Sequence, residues 1–241
     1  MSIADTTLSK LAEARERHDA CLVAFSGGKD ALATLDLCSR AGFKRLEAFY
    51  MYIVPGLQWV QERLDWASKR WGIEIHECPH WVTARYHRFG VYRDPVAWSA
   101  FAETGNGTFG DTSQAVPDLK LDDIYDLMRD ETGIRLIATG AKASDGVWRK
   151  RHATAAQQDV LWPLWGWNKF DVFGYLKARG IPIPSGDGGQ KFSSGEDLSV
   201  RYLLWLYDNH PDDFVKVEAS YPYVRAVVKR REWYGIAASK G

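Results

Sequence analysis

The sequence predicts a doubly wound α/β fold, in which a mainly parallel sheet carries helices on both faces and a helical extension follows at the C-terminal end. Apolar runs bounded by turn residues alternate with helical patterns over the first part of the chain, and this alternation is typical of βαβ units. A glycine-rich loop follows the first apolar run directly, at the position where open α/β sheets bind their ligands. A chain of 241 residues is long enough to bury one sizeable core.

The strands and helices of this region are predicted in alternating order. Four apolar runs predict strands, at Cys21–Phe25, Arg45–Val54, Ile73–Pro79 and Ile134–Gly140. Three helical patterns lie between or beside them, at Asp30–Ala41, Leu57–Trp71 and Leu119–Thr132. We therefore expect residues 1–184 to form the ligand-binding α/β domain, and residues 185–241 to form a flexible loop and C-terminal helices of the same domain.

Two segments lack the periodicity of the rest of the chain. Residues 80–118 are too long for an ordinary connection, so they are either a helical insertion or a loop with a function. We expect a helix near Val96–Glu103 and contacts with an acceptor substrate in this segment. The run Ile181–Glu196 is rich in proline and glycine, which predicts a loop. The pattern then predicts a helix over Asp197–Asp208, an acidic turn broken by Pro211, and a basic final helix.

Charge and cysteine content exclude several classes of protein. The 31 basic residues balance the 31 acidic ones, so the whole chain has no field that would attract nucleic acid or an anionic membrane. The three cysteines show no C-x-x-C spacing, which argues against a disulfide framework and against a zinc or iron–sulfur site. No apolar signal core or membrane-spanning run occurs. We therefore expect a cytoplasmic protein with no membrane partner.

The loop from Ser26 to Asp30, SGGKD, contains every part of a phosphate-binding cradle. Gly27 and Gly28 let the backbone approach a ligand closely, and the amides that follow open a helix whose N-terminal dipole favours an anion. Ser26 offers a hydroxyl donor, and Lys29 offers a point charge for phosphate oxygens. The structural alternative is a glycine-rich strand-to-helix turn in which the lysine is solvated. Five consecutive matching residues make that alternative the less favoured interpretation.

A second motif follows the predicted strand that ends at Gly140. The loop KASDGVWRKRH brings Lys142 and Arg149, with Lys150 and Arg151, to the same carboxyl edge of the sheet. At that edge the cations would offset charge that develops on a triphosphate. A solvated basic loop is the alternative, because runs of charge are often only that.

The two motifs together resemble one superfamily. SGGKD resembles the S-G-G-x-D-S signature of the PP-loop ATP pyrophosphatases, the adenine-nucleotide α-hydrolase superfamily, except that Ala31 replaces the final serine. The later motifs resemble the branch that contains the phosphoadenosine phosphosulfate reductases and the small subunit of sulfate adenylyltransferase. The residues that carry this second resemblance are Gly140, Lys142, Ser144, Arg149, Pro163, Leu164, Trp167, Asp171 and Val172.

The resemblance implies a Rossmann-like fold of the HUP type with an adenine-nucleotide site. The residues implied to bind the nucleotide are Ser26, Gly27, Gly28, Lys29, Asp30, Tyr52, Ile53, Gly140 and Ser144, with adenine near Tyr52 and Ile53. The residues expected to act in catalysis are Lys29, Lys142 and Arg149. Mg²⁺ would be held through the phosphates with help from Asp30, and no protein-only metal site is expected.

The positions of the cysteines in the sequence favour one reaction over another. The reductases of this family attack the sulfuryl sulfur with a late cysteine, whereas this sequence has no cysteine after Cys78. We therefore expect ATP with Mg²⁺ as the nucleotide, and adenylylation of an acceptor with release of pyrophosphate as the reaction. Two alternatives stay open: a phosphoadenosine phosphosulfate reductase or transferase that uses an external thiol, and a non-catalytic nucleotide-binding module, which Ala31 favours. The acceptor and a homo-oligomeric state also stay open.

Three further patterns have structural interpretations. Asn168 with Asp171 predicts a helix capping box, and the aromatic residues around it are expected in the core. The histidines and the cysteine between His76 and His87 are spaced too loosely for a metal site. The basic tail would suit nucleic acid, but a solvated helix face is the favoured interpretation.

Overall fold

The computed structural model describes residues 2–83, 86, 119–145, 159–183 and 196–235. The helix predicted near Val96–Glu103 lies outside the described residues, as do most of the insertion and most of the loop Ile181–Glu196. Arg149, which the sequence assigns to catalysis, also lies outside them.

Strands and helices alternate as the sequence predicts, and the ends of the predicted elements differ from the observed ends by a few residues. The strands are β1 (Ala20–Ala24), β2 (Arg45–Tyr52), β3 (Ile75–Pro79), β4 (Ile137–Thr139) and β5 (Val160–Leu161). The helices are α1 (Ile3–Arg15), α2 (Lys29–Ala41), α3 (Gln58–Trp71), α4 (Leu121–Thr132), α5 (Lys169–Ala178), α6 (Val200–Asn209), α7 (Pro211–Ser220) and α8 (Arg225–Tyr234). Within the described ranges, none of these helices has the length and apolar character needed to span a membrane. No sequence pattern predicts β5, because two residues are too few to show a period.

The five strands form one sheet in the order β3-β2-β1-β4-β5. β1 pairs in parallel with β2, Ala24 opposite Phe49, and in parallel with β4, Ala24 opposite Thr139. β4 in turn pairs in parallel with β5. Because the strand order reverses at β1, the carboxyl end of β1 is the topological switch point at which such sheets bind ligands. The predicted doubly wound α/β fold is thus confirmed.

The strand β1 and the helix α2 form the centre of the core. Cys21, Leu22 and Val23 of β1 are completely buried, as expected for a strand covered on both faces. α2 ends at Gly42, whose φ of 75° lies in the left-handed region. A glycine there closes the helix without a steric penalty.

A buried carboxylate, Asp36, joins α2 to the helices beside it. Asp36 accepts hydrogen bonds from the Trp71 indole at 3.2 Å, the Tyr175 hydroxyl at 2.6 Å and the Arg179 Nε at 2.8 Å. Burial acts to raise the pKa of Asp36, but the hydrogen bonds from Arg179, Tyr175 and Trp71 outweigh it and hold the pKa below its ordinary value. The ionised carboxylate therefore fixes α2 to α3 and to the end of α5, and α2 begins at the glycine-rich loop.

The capping box at the start of α5 is confirmed. The Asn168 side chain accepts from the backbone N–H of Phe170 at 2.7 Å and of Asp171 at 3.2 Å, and the Asp171 carboxylate accepts from the Asn168 N–H at 2.8 Å. Trp167 is buried in the core as expected. The expectation is wrong for Phe170, which is 84% exposed, because Trp167 and Val172 fill the core side of this turn.

Three helices, α6 to α8, form the C-terminal extension. The predicted acidic turn broken by Pro211 is wrong, since Pro211 occupies the first position of α7, where a helix does not need the missing N–H. Asp213 in the same turn is almost completely buried. It accepts from the backbone N–H groups of Gln58 at 2.8 Å and Trp59 at 2.9 Å, and so caps the start of α3 from another helix.

The chain divides into two compact units. The first comprises Met1–Met51, Glu62–Cys78 and Tyr125–Gly195, and the second comprises Tyr52–Gln61, Pro79–Ile124 and Glu196–Gly241. The first unit contains the glycine-rich loop and the residues that follow β4. The expected division of one domain into residues 1–184 and a C-terminal extension of residues 185–241 stays a prediction.

Candidate functional site

The glycine-rich loop connects β1 to α2 at the switch point of the sheet. Gly27 has a φ of 69°, in the left-handed region that glycine adopts readily. Gly28 is the N-cap of α2, and its backbone N–H donates to the Ser26 hydroxyl at 3.4 Å. None of the described side chains caps this end of α2, so the first-turn amides and the helix dipole face the loop and favour an anion.

Asp30 joins two lysines that come from different parts of the chain. The Lys29 ammonium lies 2.7 Å from Asp30 Oδ2, and the Lys142 ammonium lies 2.7 Å from the same oxygen. The two lysine side chains are only 10% and 4% exposed. Because Lys29 opens α2 and Lys142 follows β4, parallel pairing of β1 with β4 brings their charges together. Both residues therefore lie at the loop, and their roles in binding and catalysis stay predictions.

The second carboxylate oxygen of Asp30 has a different environment. Asp30 Oδ1 is buried and has no hydrogen-bond partner among the described residues. A buried oxygen without a donor is unfavourable, and a ligand or a cation in the loop would remove that penalty. Carboxylate oxygens are the protein ligands that Mg²⁺ prefers, so this atom fits the expected role of Asp30 in placing the metal.

The end of β4 approaches α2 so closely that only glycine fits at position 140. A Cβ on Gly140 would lie 3.0 Å from the carbonyl carbon of Asp30 and 3.2 Å from the amide nitrogen of Ala31. Both are backbone atoms of the first turn of α2 and cannot rotate away. Gly140 therefore sets the separation between β4 and the loop, which lets Lys142 reach Asp30.

Asp145, which is not among the residues predicted from the sequence, holds Lys142 in place. Its Oδ1 lies 3.2 Å from the Lys142 ammonium, and its Oδ2 accepts the Lys142 backbone N–H at 3.1 Å. The spacing Lys-x-x-Asp directly after a predicted strand is the signal that would have identified it. Ser144, between them, donates its hydroxyl to the Trp167 carbonyl at 3.4 Å, so its contact with a nucleotide stays a prediction.

Arg63 is a third cation at the loop that the sequence analysis missed. It lies on α3 and donates from Nη2 to the Gly27 carbonyl oxygen. A Cβ on Gly27 would lie 2.9 Å from Arg63 Nη2 and 3.2 Å from Cζ, so the guanidinium covers this side of the loop. No sequence pattern marks Arg63, because an arginine in an amphipathic helix ordinarily indicates a solvated face.

The residues expected near adenine, Tyr52 and Ile53, belong to the second unit. The Ile53 and Val54 backbone N–H groups donate to the Glu196 carboxylate at 3.1 Å and 2.7 Å. The Glu196 carboxylate thus accepts both of these backbone hydrogen bonds beside the expected adenine position. The adenine contact itself stays a prediction.

The cysteines are not placed for nucleophilic chemistry. Cys21 and Cys38 are fully buried and Cys78 is 3% exposed, so all three are core residues. A hydrogen bond with Cys21, together with burial, raises the pKa of the Cys38 thiol well above its usual range, and burial raises the pKa of Cys78 to about 12. A buried thiol with a raised pKa is not the thiolate that a nucleophile requires.

One group of described residues away from the loop has ligand atoms close enough for a metal. Glu47, Glu74 and His76 each place one such atom within 4.8 Å of the others. The Glu47 carboxylate is already bound by Arg45 Nε at 2.5 Å and by His76 Nε2 at 2.8 Å. Because Arg45 supplies a cation to the same carboxylate, an ion-paired network is the simpler interpretation of this group.

Three of the four basic side chains of α8 are paired with acidic ones. The pairs are Arg225 with Glu218 at 2.5 Å, Lys229 with Glu232 at 2.8 Å and Arg231 with Asp208 at 2.6 Å. Such pairing neutralises charges that a phosphate backbone would otherwise contact. It supports the solvated helix face as the favoured interpretation, and nucleic-acid binding stays an untested alternative.

Comparison with known proteins gives a match over the part of the chain that contains the loop. The family model described as "Phosphoadenosine phosphosulfate reductase domain" matches residues 20–185, more than half of the chain. The match begins at β1 and extends beyond α5, so it includes the loop, Asp30 and both lysines. A search of curated proteins found no match.

Proposed function

Because the chain belongs to the phosphoadenosine phosphosulfate reductase domain family, we propose that it binds ATP with Mg²⁺ at the loop and adenylylates an acceptor, with release of pyrophosphate. The observation that carries the proposal is the bridge from Lys29 through Asp30 to Lys142. It collects two cations and a carboxylate with an unpartnered oxygen at the anion-binding end of α2.

The loop residues would hold the phosphates that leave as pyrophosphate. The first-turn amides of α2 and the Lys29 ammonium would donate to β- and γ-phosphate oxygens, because helix N-termini and lysine ammonium groups are suited to anions. Lys142, which follows β4, would offset charge at the α-phosphate as it is attacked. Ser26, exposed at the mouth of the loop, would add a hydroxyl donor.

The ionisable side chains that the structure describes at the loop carry charges of both signs. They are the cations of Lys29, Lys142 and Arg63 and the carboxylates of Asp30 and Asp145. Mg²⁺, when bound, would add positive charge at the phosphates. Asp30, whose Oδ1 has no hydrogen-bond partner among the described residues, would help to hold it.

The proposed reaction transfers the adenylyl group of ATP to the acceptor, with pyrophosphate as the leaving group. A nucleophilic oxygen of the acceptor attacks the α-phosphorus and forms a new P–O bond, and the bond from that phosphorus to the bridging oxygen of the β-phosphate breaks. The electron pair leaves with pyrophosphate, which Lys29 and the loop amides retain until product release. The chain thus supplies positioning and charge, the main contributions that phosphoryl-type transfers need.

The family itself favours a second candidate, the use of phosphoadenosine phosphosulfate with an external thiol. The match to the reductase domain supports this candidate. The thiol would have to come from another molecule, because Cys21, Cys38 and Cys78 are buried. The same anion site would then hold the phosphate or sulfate groups of that nucleotide.

Nucleotide binding by the wild-type protein and by Lys29→Ala tests the proposal. We expect the wild type to bind ATP with Mg²⁺ in calorimetry, and Lys29→Ala to lose detectable binding, because the lysine supplies a buried charge to the loop. The matched control is Lys69→Ala, which removes an exposed lysine of α3 and should leave the affinity unchanged. Unchanged affinity in Lys29→Ala would contradict the assignment of the loop.

Turnover distinguishes the candidates. Release of labelled pyrophosphate from ATP in the presence of candidate acceptors supports adenylylation. Thiol-dependent release of sulfite from phosphoadenosine phosphosulfate supports the second candidate. Binding of ATP without turnover of either nucleotide would support the non-catalytic module that Ala31 favours.

A further inference from the structure

The geometry points to Arg63 as a positioning residue that orients the Gly27–Gly28 peptide so that its N–H, and not its carbonyl, faces a bound phosphate. This inference rests on the proposed nucleotide site and adds to it a residue from α3. Arg63 is half-buried, and it donates to the Gly27 carbonyl oxygen from a position directly over the loop.

The peptide that Arg63 holds joins two glycines. Gly27 and Gly28 both lack a Cβ, so rotation of the peptide between them meets less steric resistance than it would between other residues. In one orientation this peptide presents its N–H toward the loop, and in the reversed orientation it presents its carbonyl oxygen. A carbonyl that faces a phosphate is repulsive, whereas an N–H is a donor to it.

A trans peptide fixes the direction of both groups at once. The carbonyl of Gly27 and the N–H of Gly28 belong to one plane and point in opposite directions, and the described chain has no cis peptide bond. When Arg63 binds the carbonyl on one side, the Gly28 N–H is therefore directed to the other side. There it donates to the Ser26 hydroxyl at 3.4 Å, well beyond the roughly 2.9–3.0 Å typical of an N–H···O bond.

The long bond to Ser26 identifies the Gly28 N–H as a donor that a stronger acceptor would take over. A phosphate oxygen is charged, and hydrogen bonds to charged acceptors are about twice as strong as those between neutral groups. Ser26 is exposed, so its hydroxyl is able to turn away and donate to the same ligand. Arg63 thus contributes to phosphate binding through the backbone, without a contact of its own to the phosphate being required.

The test compares ligands that have phosphates with one that has none. Wild type, Arg63→Ala and Arg63→Lys are titrated with Mg-ATP and with Mg-pyrophosphate by calorimetry, and with adenosine by ligand-observed NMR. Arg70→Ala is the matched control, because Arg70 lies two turns further along the same helix and is exposed. Far-UV circular dichroism establishes that each variant is folded.

We expect Arg63→Ala to bind both phosphate ligands about 10- to 100-fold more weakly, because that factor corresponds to the loss of a charge-assisted hydrogen bond. The same variant should bind adenosine as the wild type does. Arg63→Lys should recover part of the affinity, and millimolar guanidinium ion should recover part of it in Arg63→Ala. Arg70→Ala should bind all three ligands as the wild type does.

Two results would overturn the role of Arg63 while leaving the proposed function intact. One is an Arg63→Ala protein that binds Mg-ATP as tightly as the wild type. The other is an equal loss of affinity for Mg-ATP and adenosine, which would indicate a general disturbance of the fold. Failure of the wild type to bind Mg-ATP and Mg-pyrophosphate would instead overturn both the proposed function and this inference.

Discussion

Replacement of Lys142 by methionine tests whether the buried charges at the loop depend on one another. Methionine keeps an unbranched side chain of similar length and removes the ammonium, which lies 2.7 Å from Asp30 and 3.2 Å from Asp145. Lys142 is only 3% exposed, so water does not replace the lost contacts. The substitution leaves Asp30 with Lys29 as its remaining described cation, again at 2.7 Å.

The distances set the expected size of the effect. At an effective dielectric constant of about 20, each of the two ion pairs corresponds to roughly 5–6 kcal/mol of gross attraction. Desolvation of the buried charges offsets several kcal/mol of this gain, and breaking a buried pair generally lowers stability by about 3–5 kcal/mol. Because Lys29 still neutralises Asp30, we expect Lys142→Met to lower the free energy of unfolding by about 2–3 kcal/mol.

Urea unfolding followed by tryptophan fluorescence measures this loss as a shift of the midpoint at constant slope. Lys69→Met is the matched control, because it removes an exposed lysine and should change stability by less than about 0.5 kcal/mol. In a double-mutant cycle, Asp30→Asn and Lys142→Met should show non-additive effects, because each removes one partner of the 2.7 Å ion pair between these two side chains. An unchanged unfolding midpoint in Lys142→Met, or strictly additive effects in the cycle, would refute the reasoning.

Two further predictions concern packing and pH. Gly140→Ala places a Cβ 3.0 Å from the Asp30 carbonyl carbon, so it should lower both the stability, by about 1–3 kcal/mol, and the affinity for ATP. The control Gly166→Ala has nothing within 4 Å of its Cβ and should change neither property. Equal results for the two variants in calorimetry and unfolding would contradict the close approach of β4 to α2. Burial acts to raise the pKa of Asp213, but hydrogen bonds from the backbone N–H groups of Trp59 and Gln58 and from the ammonium of Lys216 lower it overall. The stabilising contribution of the ionised carboxylate is therefore present above the unfolded pKa of about 3.9. It is lost as pH falls through the lower folded pKa. Asp213→Asn should therefore lower stability by about 1–2 kcal/mol at neutral pH, and its melting temperature should fall less steeply than that of the wild type as the pH is lowered. A fall as steep as that of the wild type would argue against this role.

The regular elements of the fold were predictable because their signals are local. The core run of β1 and the amphipathic pattern of α2 each lie within a dozen or so consecutive residues, and the glycine loop between them is contiguous. Local patterns failed where a residue has two interpretations. Pro211 was predicted to break a turn, and it begins a helix instead. The strand β5, Val160–Leu161, was missed because its two residues are recognisable only from their pairing with β4.

Some residues of the candidate site have a local signal in the sequence, and others are recognisable only from their packing in the fold. The sequence by itself determined the position of the glycine-rich loop between β1 and α2 and pointed to Lys29 and Lys142 as its cations, because glycines, a lysine and a helix start in one turn have a physical meaning without any partner. Only the tertiary structure decided that Asp30 bridges both lysines, that Asp145 holds one of them and that Arg63 binds the loop. Contacts between Asp30, Lys142 and Arg63 depend on how strands and helices distant in the chain are packed, and no spacing along the sequence encodes that distance.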